Sequence, residues 1–233
     1  AIKDMVKDYN EMMGEIKSAY STLPIQSSSG AFKDYEPLTD EEKAGMSESA
    51  IENYEKKAKQ GILFGDSNLK GLYERMYNVF NPSGNDSNVL RNMGLTYSYS
   101  SDGTSTLTLD EKKLRAALDS DPDAVMNVFT KTSESGGTSG IMEGMKTQLD
   151  RYGATTGAVK GILVQQAGTP LSSLSLLDNQ WQKEIDNLGD QITKWQDKLS
   201  DRVDYYTSMF SRLEVLINQM NSQSSTLAGL MGG

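Results

Sequence analysis

The chain has 233 residues, of which 36% are hydrophobic and 8% aromatic, with a net charge of −9 and neither Cys nor His. That composition excludes a disulfide framework, a thiolate nucleophile, a Cys/His zinc site and Ser-His-Asp chemistry. A duplex binder needs a basic face to displace counterions, and a bilayer span needs roughly 20 apolar residues in a row, so neither nucleic acid nor a membrane span is expected.

The mean hydropathy is below zero, which suits an elongated helical protein better than a compact enzyme. The chain begins at Ala1 without Met and without a basic-plus-apolar leader, so it is expected to be a piece of something longer.

The first segment places Ile2, Met5, Tyr9, Met12, Ile16, Ala19 and Leu23 at alternating gaps of three and four, a single helical stripe. Pro24 ends that helix near Leu23. Thr39 and Glu42 stand at capping-box spacing before a short helix. Ile51, Tyr54 and Ala58 mark another, with Gly61 placed as its C-cap. Asp66 then caps a helix carrying Leu69, Leu72, Tyr73, Met76, Tyr77 and Phe80. Residues 81–88, NPSGNDSN, read as a turn-rich loop.

One stretch has strand alternation. Leu95, Tyr97 and Tyr99, then Asp102-Gly103, then Leu107 and Leu109 predict a hairpin over about 95–109. Asp110 caps a helix through Leu114 and Leu118. Asp121-Pro122 starts another, with Val125, Val128 and Phe129 inward. Residues 133–140, SESGGTSG, read as a flexible break. A helix through Ile141, Met145 and Leu149 follows. The run GATTGAVKGILVQQAGTPLSS is open between a short helix and an extended connector.

From Trp181 one stripe runs without a slip through Ile185, Leu188, Ile192, Trp195, Leu199, Arg202, Tyr206, Met209, Leu213, Leu216 and Met220. Eleven of these twelve positions are apolar, and both tryptophans of the chain share one heptad position. This is the seam of a coiled coil, on a helix expected over about 177–221 and on the order of 65 Å long. Two coverings are open: the first helix, through its own seam of Ile2, Met5, Tyr9, Met12 and Ile16, or a helix outside this chain. A helix of about 20 residues covers at most half of one this long, so an outside partner is needed for the rest. Arg202 marks register or meets a carboxylate on a partner. The tail QSSTLAGLMGG reads as flexible.

No constellation specifies catalysis, a metal or a cofactor. DSDPD, residues 119–123, imitates the start of a calcium loop but has Ala124 where Gly is required and Thr130 where Glu is required. SGGTSG lacks the frame of a phosphate loop. The twelve methionines are read as core filling.

Three stretches carry a resemblance: LTDEEKAGMSESAIENYEKKAKQGILFGDSNL, LRNMGLTYSYSSDGTSTLTLDEKKLRAALDSDPDAVMNVF, and LLDNQWQKEIDNLGDQITKWQDKLSDRVDYYTSMFSRLEVLINQMNSQSSTLAGL. Together with the Tyr9-Asn10 pair on the first helix, they resemble the C-terminal half of the flagellar filament cap family, hook-associated protein 2 (FliD). The resemblance implies a mainly α fold. Residues 1–165 would be the second part of a helical, coiled-coil middle leg domain with its small β-hairpin. Residues 166–233 would be a long heptad helix with a flexible C-terminal tail.

It further implies a structural protein exported through the flagellar channel to the extracellular filament tip. There a homo-oligomeric ring promotes flagellin assembly and prevents flagellin loss. The implied partners are copies of itself, flagellin, the adjacent hook-associated protein and an export chaperone at the C-terminal helix. The N-terminal helices of the complete pattern are absent from this sequence and are the implied partners of the seam. Other readings are a different flagellar axial or junction protein, which should lack the LTDEEK to GDSNL block, and a secreted coiled-coil adhesin. A glycan-acting enzyme would need two convergent carboxylates, and no spacing proposes them.

Overall fold

The computed structural model describes residues 1–26, 30–32, 37–81, 85–101, 103–132 and 139–232, with side chains left out at 85–87. The expected turn residue Asp102, most of the break at 133–140 and the start of the loop at 81–88 lie outside the described residues. The chain divides into two units, Ala1–Val164 and Gln165–Gly233.

The first unit opens with α1 (Ile2–Ser21), which ends where Thr22 Oγ1 donates back to Ser18 O at 2.6 Å, two residues short of Pro24. Next come α2 (Asp40–Ala44), α3 (Glu48–Ala58), α4 (Ser67–Phe80) and α5 (Asn85–Asn92). The caps are the ones that local sequence specifies. Glu42 N–H donates to Thr39 Oγ1 while Thr39 N–H donates to the Glu42 carboxylate, so two orphan donors satisfy each other's residue. Asp66 accepts from Leu69 N–H at 2.8 Å. Gly61 is not the C-cap of α3. Lys59 is, and Gly61 follows with a φ of 71° where a Cβ would stand 2.4 Å from the Pro24 nitrogen.

Residues 85–88, expected in a loop, begin α5. Asn, Asp and Ser favour turns and helix starts alike, and the burial of Leu90 and Met93 decides for the helix.

β1 (Leu95–Tyr99) and β2 (Ser105–Leu109) pair antiparallel in the register Leu95↔Leu109, Tyr97↔Leu107 and Tyr99↔Ser105. These residues share one face, which grades from buried Leu95 and Leu107 out to exposed Tyr99 at the tip. α6 (Glu111–Ser120) and α7 (Pro122–Thr130) follow. Asp121 accepts from Ala124 N–H at 2.9 Å, so DSDPD is a helix start. α8 (Ile141–Gly153) is the helix expected through Ile141, Met145 and Leu149; it buries Ile141 and Tyr152 and leaves Leu149 41% exposed.

The core gathers Val6, Tyr9 and Met13 of α1, Leu72, Met76 and Phe80 of α4, and Leu95 and Leu107 of the hairpin, with residues from α5 to α8 around them. The seam expected on α1 is rotated. Val6, Tyr9 and Met13 are buried, while Ile2, Met5, Met12 and Ile16 are half-buried flanks packed on the same core. α1 packs against both α4 and β2, so the deepest line falls between its two contacts.

Side chains bond this core across long stretches of sequence. The Asn10 amide donates to Leu107 O at 2.8 Å and accepts from Leu107 N–H at 2.8 Å. It thereby takes the place of a third strand at the open edge of β2. Beside it, Tyr9 OH lies 3.1 Å from Met76 O and 2.7 Å from Tyr97 OH, and Tyr97 OH reaches Tyr77 O at 3.2 Å. Tyr77 stacks on Tyr97 with ring centroids 4.5 Å apart and its hydroxyl meets that of Tyr99 at 2.6 Å.

Burial pushes the hydroxyls of Tyr9 and Tyr97 well above the ordinary phenol range. Burial, then the Tyr99 hydroxyl, pushes Tyr77 up to about 12. A folded pKa above the unfolded one stabilises the fold at all pH below the unfolded value and is lost as pH rises through the folded value. The melting temperature should therefore hold up to roughly pH 10 and then fall, with the Tyr77 share of the loss complete near pH 12 and the fall continuing above it as Tyr9 and Tyr97 ionise. Thermal melts by circular dichroism across that range check this. A flat profile through pH 12 would mean that the cluster adds nothing to stability.

Candidate interaction surface

The second unit begins within α9 (Ile162–Ala167) and continues through α10 (Ser173–Leu177) into α11 (Gln180–Met231). A buried polar knot joins α10 to α11, and no periodicity announces it. Gly168, with a φ of 75°, lets the backbone pass where a Cβ would lie 2.4 Å from Ser175 O. Ser175 Oγ accepts from Thr169 N–H at 3.0 Å and donates to Ser172 O at 2.8 Å. The Asn179 amide donates to Ser175 O and Leu176 O, and its oxygen accepts from Gln182 N–H at 2.8 Å as the N-cap of α11. One side chain thus closes α10, opens α11 and sets the angle between them.

Asn179→Ala should cost about 2–3 kcal/mol locally, since a cap is lost and one buried and one part-buried carbonyl lose their donor. Hydrogen exchange should quicken at residues 180–184 and stay unchanged at 200–220. Equal protection at the helix start would remove the knot's assigned role.

α11 has 52 residues and is about 78 Å long at 1.5 Å per residue. It starts later than expected, at Gln180, and runs past Asn221 to Met231. Ser222, Ser225 and Thr226 carry the extension: each hydroxyl donates at 2.9 Å to the carbonyl four residues back and so does not compete with the helix from outside. With the helix prolonged, Leu227 and Leu230 fall into the heptad phase of the seam.

No residue of α11 is buried. The seam residues Trp181, Ile185, Leu188, Ile192, Trp195, Leu199, Tyr206, Met209, Leu213, Leu216 and Met220 are 44–68% exposed. The apolar line of α1, the covering offered from within the chain, is consumed in the core of the first unit. Charges on α11 are local: Lys183 pairs with Asp178 at 2.7 Å, and Lys198 lies 4.4 Å over the Trp195 ring. Such exposed contacts are worth well under about 1 kcal/mol each. Covering the exposed half of eleven large side chains is worth about 1 kcal/mol apiece, on the order of 10 kcal/mol in all. Among the described residues, then, the dominant unused free energy lies along this stripe.

Among the described residues no group of three or more His, Cys, Asp or Glu could hold a metal, and no helix is long and apolar enough to cross a membrane. An open hollow beside the tyrosine cluster is lined by Tyr73, Glu74, Tyr77, Asn78 and Ser105, with one carboxylate and no second facing it.

The family described as flagellar hook-associated protein 2, C-terminus, matches residues 1–222. The flagellar hook-associated protein 2 of Halalkalibacterium halodurans is 29% identical over 239 residues, covering 97% of this chain and 43% of that protein. Its counterpart in Thermotoga maritima is 27% identical over 239 residues, covering 100% of this chain and 33% of that protein. The chain thus spans less than half the length of either relative. No solved structure matches it.

Proposed function

We propose, from the premise that this chain belongs to the flagellar hook-associated protein 2 family, that it is the C-terminal part of a structural cap on the bacterial flagellar filament. Its work is mechanical. Copies assemble in a ring at the extracellular tip, hold a leg of paired helices against the filament end, and keep exported flagellin there until it inserts. The partners in this reading are further copies of the chain, flagellin, the adjacent hook-associated protein below, and an export chaperone that holds the C-terminal helix before assembly.

The observation that carries the reading is the uncovered seam of α11. On a helix of 52 residues with no buried side chain, a continuous apolar stripe goes unused unless other helices cover it. The two relatives are more than twice as long as this chain, and a protein of their length would have ample sequence to supply the helix that this reading places in the seam.

The test is the partition of flagellin between filaments and medium in cells lacking the gene. Monomeric flagellin in the medium with few filaments supports the cap. Filaments of normal number and length would overturn it and return the seam to a junction protein or an adhesin.

A further inference from the structure

α11 carries more apolar surface than one partner helix can cover, and it does so only toward its C-terminal end. As far as Leu199 the apolar residues keep to two positions per heptad, and the position following each tryptophan or Leu188 is Gln182, Gly189 or Gln196. Past Arg202 that same position becomes Val203, Phe210 and Ile217, which are 55%, 62% and 48% exposed. Two apolar positions per heptad suit a single facing helix; three make a face that reaches a second neighbour.

The other flank of the same stretch is hollow where this one is raised. One hollow is lined by Asp201, Asp204, Tyr205, Ser208, Met209 and Arg212, and the next by Ser211, Arg212, Val215 and Leu216. Tyr205 to Arg212 and Ser208 to Val215 are steps of seven residues, the spacing of Val203, Phe210 and Ile217 on the ridge. At about 3.6 residues per turn, Phe210 and Val215 lie roughly half a turn apart around the axis.

We infer that residues 202–217 of α11 are where copies of this chain stand side by side, the Val203, Phe210 and Ile217 ridge of one copy filling the Tyr205, Arg212 and Val215 flank of the next. Ridge against hollow is a heterologous contact, which leaves an unused ridge and an unused hollow on every pair and closes only as a ring. A two-fold dimer would need one self-complementary patch instead.

Charge favours the same occupant. The chain as a whole carries −9, so copies repel one another. From residue 202 onward Arg202 and Arg212 balance Asp204 and Glu214, two against two, and no charged side chain follows Glu214. Copies therefore approach most closely where their repulsion is least. The inference deepens the cap reading by naming the surface of its copy-to-copy contact, and it leaves the seam itself to a helix from elsewhere in the protein.

These 233 residues contribute no Cys of their own. In the full-length protein with any Cys outside them replaced by Ser, Phe210→Cys combined with Val215→Cys should give a ladder of dimers, trimers and larger species on mild oxidation. Asn218→Cys combined with Ser225→Cys, away from ridge and hollows, should give no ladder. Phe210→Ser should raise the concentration at which copies assemble by about tenfold or more, as for a central aromatic contact, with helix content unchanged. An oligomer that forms normally yet does not cross-link through 210 and 215 uses another surface and overturns the inference. A chain that stays monomeric at every concentration, or equal ladders from both pairs, does the same. Flagellin partition in cells tests the cap reading separately, so either idea can fail without the other.

Discussion

Trp195→Asp should weaken association of α11 with its partner helix by about a hundredfold or more while leaving the chain itself folded. The tryptophan ring is 67% exposed in the chain alone, so its loss creates no cavity and removes no core contact. In the assembled seam the same position forfeits about 2 kcal/mol of apolar burial and places a carboxylate where it must be desolvated or left unpaired, several kcal/mol more. At 1.4 kcal/mol per decade, a loss of about 3–5 kcal/mol is roughly two to three and a half orders of magnitude in affinity.

The prediction has two arms. In the full-length protein, circular dichroism and the melting temperature of the first unit should match the unsubstituted protein, while hydrogen exchange quickens along residues 181–199 of α11 and cells release flagellin into the medium. Asp123→Ala is the matched control: the residue is an exposed first-turn acid of α7 and should change neither measurement. Unchanged protection of residues 181–199 in the Trp195 variant would mean that the tryptophan stripe is not a seam.

The second large effect falls on the fold itself. Asn10→Ala should destabilise the first unit by about 2–4 kcal/mol. The side chain makes two bonds of 2.8 Å to the N–H and C=O of Leu107, whose own side chain is only 2% exposed. Removing the amide leaves a donor and an acceptor unpaired at a partly buried strand edge, at about 1–3 kcal/mol each. Denaturant midpoints measure the loss. Asn10→Asp separates the two bonds, because a carboxylate keeps the acceptor toward Leu107 N–H but opposes the carbonyl, so it should not restore stability. An Ala variant within about 0.5 kcal/mol of the parent would show that water replaces the amide at no cost.

These two residues mark different kinds of legibility. Trp195 belongs to a pattern written in steps of three and four along one helix, so its neighbours on the stripe are fixed by helix geometry alone. The same holds for the caps at Thr39, Asp66, Asp110 and Asp121, where a side chain meets a backbone N–H two or three residues on. Asn10 meets Leu107 across 97 residues of sequence, and a single polar residue on an otherwise apolar face gives no sign of its distant partner. The tyrosine cluster is assembled in the same way from α1, α4 and β1.

The knot at Thr169, Ser175 and Asn179 is local but was also illegible. Gly, Thr, Ser and Asn are turn formers everywhere, and only the burial of Ser175 and Asn179 turns these into a fixed joint. Likewise the C-terminal tail looked too polar to stay helical, yet its hydroxyls bond to their own preceding turn.

Local order was therefore decided along the chain: where helices begin, where the hairpin pairs, and that one long helix carries a seam with no charge of its own beyond Arg202. Which face of α1 is buried, and that this face is spent on the core of the first unit, were decided only in three dimensions. The reason is that i, i+3 and i, i+4 spacing says that a stripe is apolar, whereas what covers it depends on contacts between elements that sequence spacing does not encode.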